Sequence, residues 1–333
     1  MADDVGSVST VTRERARDAG PSAGPSDRRL TRRRLGLGQR MWRERWMYTF
    51  IVPGVLFFVI FHYLPLGGIV IAFQDYSPFL GFAGSTWVGM ENFTRLVGDV
   101  EFWTTVSNTL VISGLQIVFA FPAPILLALL LNSLLSERVK RMVQSIVYLP
   151  HFISWVIVIS IWQQVLGGAG PVADLIAQLG GGQVNLMASA ETFKILLTSQ
   201  VIWKDIGWGT IIFFAAISAI PTELYESAAA DGAGSLRRIW HITLPGILPV
   251  VVLLLILRLG DVLSVGFEQI LLQQPSVGVA AAQVLDTFVY FRGVQGGDWG
   301  IGAAAGLIKG VVGTVLIIVA NLVAKRTGNE GLI

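Results

Sequence analysis

The chain has no cysteine, which excludes a disulfide framework and thiolate metal ligands. Its three histidines, His62, His151 and His241, stand far apart and offer no ligand-spaced pair, so no metal site is expected. Charge is scarce: 14% of the 333 residues are Asp, Glu, Lys or Arg, against about a quarter in a soluble domain. No G-x-x-x-x-G-K-[ST] phosphate loop occurs, since Gly302 to Lys309 places its glycines and lysine in the wrong register. No Ser/His/Asp or paired-carboxylate arrangement is suggested either. The chain is therefore expected to catalyse nothing alone and to carry no cofactor of its own. Nothing points to nucleic acid.

Apolar residues are abundant: they make up 53% of the chain, and the mean hydropathy is +0.66. They fall in runs, which makes the bilayer the solvent. Six segments approach the ~20 residues that a membrane helix needs: 48–73, 106–132, 143–165, 195–220, 244–266 and 300–324. Pro65 does not split the first, because its halves are too short to cross separately. An all-α membrane protein with six transmembrane helices is expected. Residues 1–46 are polar and rich in Arg, Ser and Gly, and read as a disordered basic tail with an interfacial anchor at Trp42 and Trp46. Thr31-Arg32-Arg33-Arg34-Leu35 has a superficial likeness to a twin-arginine export signal. More arginines and a full-length span follow it with no small-residue cleavage site, so attraction to anionic lipid is the reading preferred. Residues 47–326 form the membrane domain, and 327–333 a second short tail.

Lys and Arg are distributed unevenly. With the N-terminus inside, the inner segments hold eleven arginines in 1–46, then Arg138, Lys140, Arg141, Arg237, Arg238, Lys325 and Arg326. The outer loops hold only Arg95 and Arg292. The positive-inside rule therefore places both termini in the cytoplasm.

One polar stretch interrupts the C-terminal half on that cytoplasmic side, at residues 221–245. Tyr225-Glu226-Ser227-Ala228-Ala229-Ala230-Asp231-Gly232-Ala233-Gly234 reads as a slim Ala-rich helix ended by an Asp-Gly break. A second short helix with Arg237 and Arg238 follows, then a restart at Ile242-Thr243-Leu244-Pro245. This stretch resembles the coupling ("EAA") loop of the membrane subunits of ATP-driven, binding-protein-dependent importers. Glu226, Ala228, Ala229, Asp231, Gly232, Ala233, Ile242, Leu244 and Pro245 match that pattern, and Ser227 departs from it. Trp87-Val88-Gly89-Met90-Glu91-Asn92-Phe93, Trp203-Lys204-Asp205-Ile206-Gly207-Trp208, Gly266 to Ile270 and Leu285 to Tyr290 look like the polysaccharide or multi-sugar subgroup.

The resemblance implies a type I ABC importer permease fold, like that of the maltose and methionine permeases, in a bacterial inner membrane. It also implies partners: a second, homologous but different permease chain, ATP-binding subunits that hold the ATP and Mg, and an external solute-binding lipoprotein. Glu226 would anchor the loop on the ATPase and Gly232 would give its bend. The alternative is an ion-coupled secondary transporter or channel working without an ATPase; such a protein has no use for the coupling loop.

Five ionisable residues fall inside the apolar segments at similar expected depth: Lys204, Asp205, Arg258, Asp261 and Lys309. Cross-helix pairing, as Lys204–Asp261 or Asp205–Arg258, is expected to offset their insertion cost, with the substrate path as the second reading. Three cations against two anions hint at acidic sugars such as uronates. Gly302, Gly306 and Gly310 make a small-residue stripe suited to close helix contact.

Overall fold

The computed structural model describes residues 45–134 and 136–326, with Gly38 and Trp42 besides. Most of the basic tail expected over 1–46, and all of 327–333, lies outside the described residues. By internal contacts the chain divides into two units, Met1–Phe61 and His62–Ile333. In the first, helix Arg45–Phe58 buries none of its residues; Phe50, for instance, is 84% exposed. Outward apolar side chains are what a hydrocarbon solvent requires. The Arg45 guanidinium lies 4.5 Å from the Trp42 ring and 5.9 Å from that of Trp46, a cation–aromatic cluster of the kind that sits at a membrane interface.

Six helical stretches are long and apolar enough to cross a membrane: Arg45–Phe73, Val100–Ser133, Trp155–Gln178, Ala190–Ser218, Ser235–Gly260 and Trp299–Arg326. Four agree with the expected segments. The expected segment 143–165 does not exist as one helix. Glu137–Tyr148 is a separate amphipathic helix, a 3-10 turn follows at Leu149–Phe152, and the apolar helix starts only at Trp155. Pro150 is the cause: it lacks an N–H and restricts the residue before it. The Ser154 hydroxyl then caps the new helix by accepting from the Ile157 N–H. On the amphipathic helix, Lys140 donates to Glu137 and holds that carboxyl below the usual range. The fifth segment, expected at 244–266, is also shifted. It begins at Ser235 and stops at Gly260, with Asp261 capping its C-terminus.

Three prolines inside the spans share one local solution. A π-helical turn covers Val59–Tyr63 before Pro65, Gln116–Ala120 before Pro122, and Ile239–Thr243 before Pro245. In the last two, the N–H of the residue just before the proline reaches back five residues, from Phe121 to the Gln116 carbonyl and from Leu244 to the Ile239 carbonyl. The wider turn makes room for a ring that would otherwise strike the carbonyl four residues back, and the helix carries on. The restart expected at Leu244-Pro245 is therefore a bulge within one continuous helix.

Packing in the second unit relies on close backbone approaches. A Cβ on Gly207 would lie 2.1 Å from the Val147 carbonyl oxygen, so the fourth span rests directly on the backbone of the amphipathic helix. Gly302 meets Gly293 in the same way, at 2.9 Å from its Cα. Gly306 and Gly310, the rest of the expected stripe, have open space beside them. Asn92 of the Trp87–Phe93 motif is 3% exposed, and its amide donates to the carbonyls of Ala72 (3.1 Å) and Gln74 (2.9 Å). That asparagine pins the end of the first span to the short helix Glu91–Val97. Gly207→Ala is expected to destabilise the protein by about 1–3 kcal/mol, the usual cost of forcing one methyl into a packed contact. A lowered unfolding midpoint of the purified protein in detergent would show it.

Candidate functional site

The polar interruption folds much as its residues suggest. Thr222–Ala230 is a helix with Asp231 at its C-cap. Gly232 follows at φ +77°, in the left-handed region where side chains are strained. The Ala233 N–H bonds to the Ala228 carbonyl at 2.8 Å, and the Gly232 N–H to that of Ala229 at 3.0 Å. This is a Schellman closure, which satisfies the last helical carbonyls and sets a sharp bend. Nothing lies within 4 Å of a Cβ placed on Gly232, so the requirement for glycine there is conformational rather than steric. The Tyr225 hydroxyl and Thr243 Oγ1 lie 3.0 Å apart, tying the short helix to the π-turn below Leu244 and Pro245. Glu226, Ala229 and Asp231 are exposed, while Ala228 and Ala233 are half-buried. Leu236 and Trp240 are 83% and 70% exposed beside them. A rigid elbow with a free carboxylate and large apolar side chains faces outward.

A cavity of about 360 Å³ lies among the spans, lined on one side by Val201, Asp205, Trp208 and Phe213 and on another by Arg258 and Asp261. Positions 201, 205 and 208 recur every three or four residues, and so share one face of the helix Ala190–Ser218. The π-turn residues Gln116 and Ala120 supply the third wall. The volume falls in the range of about 300–1,000 Å³ usual for small-ligand sites. Aromatic surfaces and a few ionisable groups converge in it.

Only three of the five intramembrane charges meet there, and the expected pairs do not form. Lys204 is 7% exposed and points away from the cavity. Its Nζ donates to the carbonyls of Pro150 (3.3 Å), His151 (2.6 Å) and Ile153 (2.7 Å), with the Trp155 ring 5.5 Å away. The ammonium closes the C-terminal end of the 3-10 turn, where bare carbonyls make a negative pole. Asp205 instead faces His151, with Oδ1 and Nδ1 2.8 Å apart. That imidazole stacks on Trp208, with centroids 4.5 Å apart and planes 6° from parallel. Arg258 donates to the Gln116 side-chain oxygen. Lys309 pairs with Asp286 outside this cavity.

Sequence spacing missed these partners because each is a long-range contact. His151 lies in the turn that was read as mid-helix, and Asp286 in the short helix Leu285–Phe288 between spans. With Asp286 counted, the surplus of three cations over two anions disappears. The cavity itself holds two carboxylates and one guanidinium.

Comparison with known proteins places this geometry in context. Residues 120–329 match the family model described as "Binding-protein-dependent transport system inner membrane component". The chain is similar to Protein LplB of Bacillus subtilis, 45% identical over 291 residues that cover 87% of this chain and 92% of that protein. It is equally similar to the polygalacturonan/rhamnogalacturonan transport system permease protein YteP of the same organism, at 45% over 294 residues, covering 88% and 92%. Among solved structures, it resembles a chain of a bacterial alginate ABC transporter in complex with alginate pentasaccharide-bound periplasmic protein. The TM-score there is 0.81 at 38% identity, over 89% of this chain and 99% of that one.

The placement of Lys204 generates a test. Lys204→Met leaves the His151 and Ile153 carbonyls without their ammonium donor, while the Pro150 carbonyl keeps the Ile153 N–H, and is expected to cost about 2–4 kcal/mol of stability, the scale of lost charge-assisted hydrogen bonds. Uptake per correctly folded transporter should persist. Intact stability with lost uptake would return Lys204 to the substrate path.

Proposed function

The chain belongs to the family of binding-protein-dependent transport system inner membrane components, and from that premise we propose that it moves acidic oligosaccharides under the control of its cytoplasmic elbow. It is a multi-pass permease subunit of the bacterial inner membrane, and the ATPase is a separate component. The ion-coupled alternative falls with that membership. An external solute-binding protein delivers the cargo. The remaining partners are a homologous second permease and ATP-binding subunits, where ATP and Mg reside. Both termini lie in the cytoplasm, as the Lys/Arg asymmetry favours.

One observation carries the mechanism. Helix Ala190–Ser218 lines the cavity through Val201, Asp205, Trp208 and Phe213, and it ends just before the elbow helix Thr222–Ala230. A push on the elbow therefore reaches the cavity wall through a single helix, without an intervening hinge other than residues 219–221. An α-helix resists bending, so movement at one end displaces the other. Glu226, exposed on the elbow, offers its carboxylate to a cation of the ATPase. Leu236 and Trp240 add apolar area beside it.

Acidic saccharides are the cargo class we infer. The names of the relatives support it: one concerns polygalacturonan and rhamnogalacturonan, and a structural neighbour imports the acidic polysaccharide alginate. In the cavity, Arg258, held by Gln116, suits a uronate carboxylate. Asp205 and Asp261 can accept from sugar hydroxyls, and Trp208 and Phe121 present ring faces to sugar C–H groups. The count of intramembrane charges gives no support, since the lining is not cationic overall.

Two variants test the coupling and a third the cargo. Gly232→Val forces a β-branched residue to φ +77° and should open the bend, and Glu226→Ala should remove the anchor. In reconstituted vesicles each is expected to lose most saccharide uptake while ATP hydrolysis continues. Uptake at the wild-type rate by Gly232→Val protein counts against the scheme. Arg258→Gln should raise KM for a uronate oligosaccharide at least tenfold, about one charge-assisted hydrogen bond, with a smaller change for a neutral one.

A further inference from the structure

A second cavity, of about 380 Å³, opens at the other end of the same helix, lined by Glu101, Gln274, Gly278, Val279, Gln283 and Phe291. Its place follows from the contacts of helix Phe267–Val277. The Gln269 amide donates to the Leu197 carbonyl at 3.1 Å, so this helix packs beside the first turns of Ala190–Ser218. The elbow follows the last turn. At 1.5 Å per residue the two ends of that helix are roughly 40 Å apart, and the second cavity lies at the end remote from the elbow.

One polar atom of the lining has no partner in the fold. Gln200, Gln269 and Gln273 bond to one another, at 2.6 Å between Gln269 Nε2 and Gln200 Oε1 and 3.0 Å between Gln273 Nε2 and Gln200 Oε1. Gln274, the next residue on the helix, is only 3% exposed, and its side-chain oxygen has no hydrogen-bond partner. A buried amide oxygen left in that state costs about 1–3 kcal/mol; it is closed to a water-sized probe, so a ligand in the cavity meets it once the Gln274 side chain turns outward. Gln283, 4% exposed, is fixed beside it through its backbone carbonyl, which accepts from Asn108 Nδ2 at 3.1 Å. Glu101 overlooks the cavity with its carboxylate 3.5 Å from Arg292. Phe291 supplies a flat ring.

We propose that this cavity is a saccharide subsite at the outer mouth of the permease, which takes hydroxyl-bearing faces of the cargo before the central cavity receives its carboxylates. The inference rests on the saccharide reading above and goes beyond it by placing a separate site. A carboxylate, two amides and one aromatic face make up the donor, acceptor and stacking set that sugar hydroxyls and C–H groups call for. Glu101 repels a uronate carboxylate, so the two cavities divide the cargo chemically: hydroxyls outside, carboxylate at Arg258. Asp205 lies five residues beyond Gln200 on the fourth span, and the two cavities share no lining residue.

Equilibrium dialysis of radiolabelled alginate pentasaccharide against the complete detergent-solubilised transporter, without binding protein or ATP, tests the subsite. The Arg258→Gln transporter, deprived of its central guanidinium, is expected to bind still. Adding Gln274→Leu should weaken that binding about tenfold, the worth of one hydrogen bond. Adding Val279→Trp instead, at an exposed rim position, should weaken it to a similar degree by filling the cavity, with an unchanged unfolding midpoint as the check on folding. Equal binding by all three proteins, or none by Arg258→Gln itself, overturns the subsite. Wild-type uptake of the same saccharide is measured in parallel. If the wild-type transporter imports no saccharide, the cargo reading beneath the subsite fails; import together with unaltered binding overturns the subsite alone.

Discussion

Hydrocarbon offers a peptide group no hydrogen bond, and this chain departs from straight helices only where it can supply one itself. Each unsatisfied backbone group in the bilayer costs several kcal/mol. The π-turns before Pro65, Pro122 and Pro245 widen the helix so that the proline fits, and before Pro122 and Pro245 the preceding N–H still finds a carbonyl. Where the α-helix gives way to a 3-10 turn and then a break, after Tyr148, the Lys204 ammonium gathers three carbonyls. A buried cation is costly alone; here the hydrogen bonds between the ammonium and these carbonyls offset the desolvation of both. The bends are consequently fixed features of the fold, and the cavities form beside them.

The same economy of parts explains the geometry of coupling. One face of Ala190–Ser218 repeats Phe193, Leu197, Gln200, Lys204 and Gly207 at helical spacing, and all five are buried against neighbours. An adjoining face carries Val201, Asp205 and Trp208 into the central cavity. One face holds the helix in the protein and the other lines the cavity. Consecutive residues Lys204 and Asp205, which look alike in a hydropathy trace, therefore have unrelated tasks: the lysine supports the break at residues 149–153, and the aspartate meets His151 at the cavity wall.

Much of the architecture was readable without coordinates. The count of six spans, the elbow helix and its Asp-Gly stop are local properties, and four of the spans and the elbow appear where composition and turn chemistry put them. Gly232 in particular needed no tertiary information, because the Schellman closure is made by residues 228–233 alone. The segment 143–165 was misread because hydropathy is averaged over a window, and a window does not register that Pro150 removes a donor. The end of the fifth span was misplaced for a related reason: Val262, Leu263 and Val265 are apolar, yet the helix has already closed at Gly260 and turned. Gly306 and Gly310 satisfied the small-residue pattern while facing open space, whereas Gly207, outside any stripe, makes the tightest approach.

What the amino-acid order determined by itself is the class of solvent, the number of crossings, and the elbow, each set by interactions within about ten residues. What only the folded chain decided is which charge meets which group. His151 with Asp205, Gln116 with Arg258 and Asp286 with Lys309 are separated by 54, 142 and 23 residues. Such pairs depend on how helices rotate about their axes, and rotation is set by the packing of every face at once. A linear pattern records the cost of burying a charge; its partner is chosen by the three-dimensional arrangement that relieves that cost.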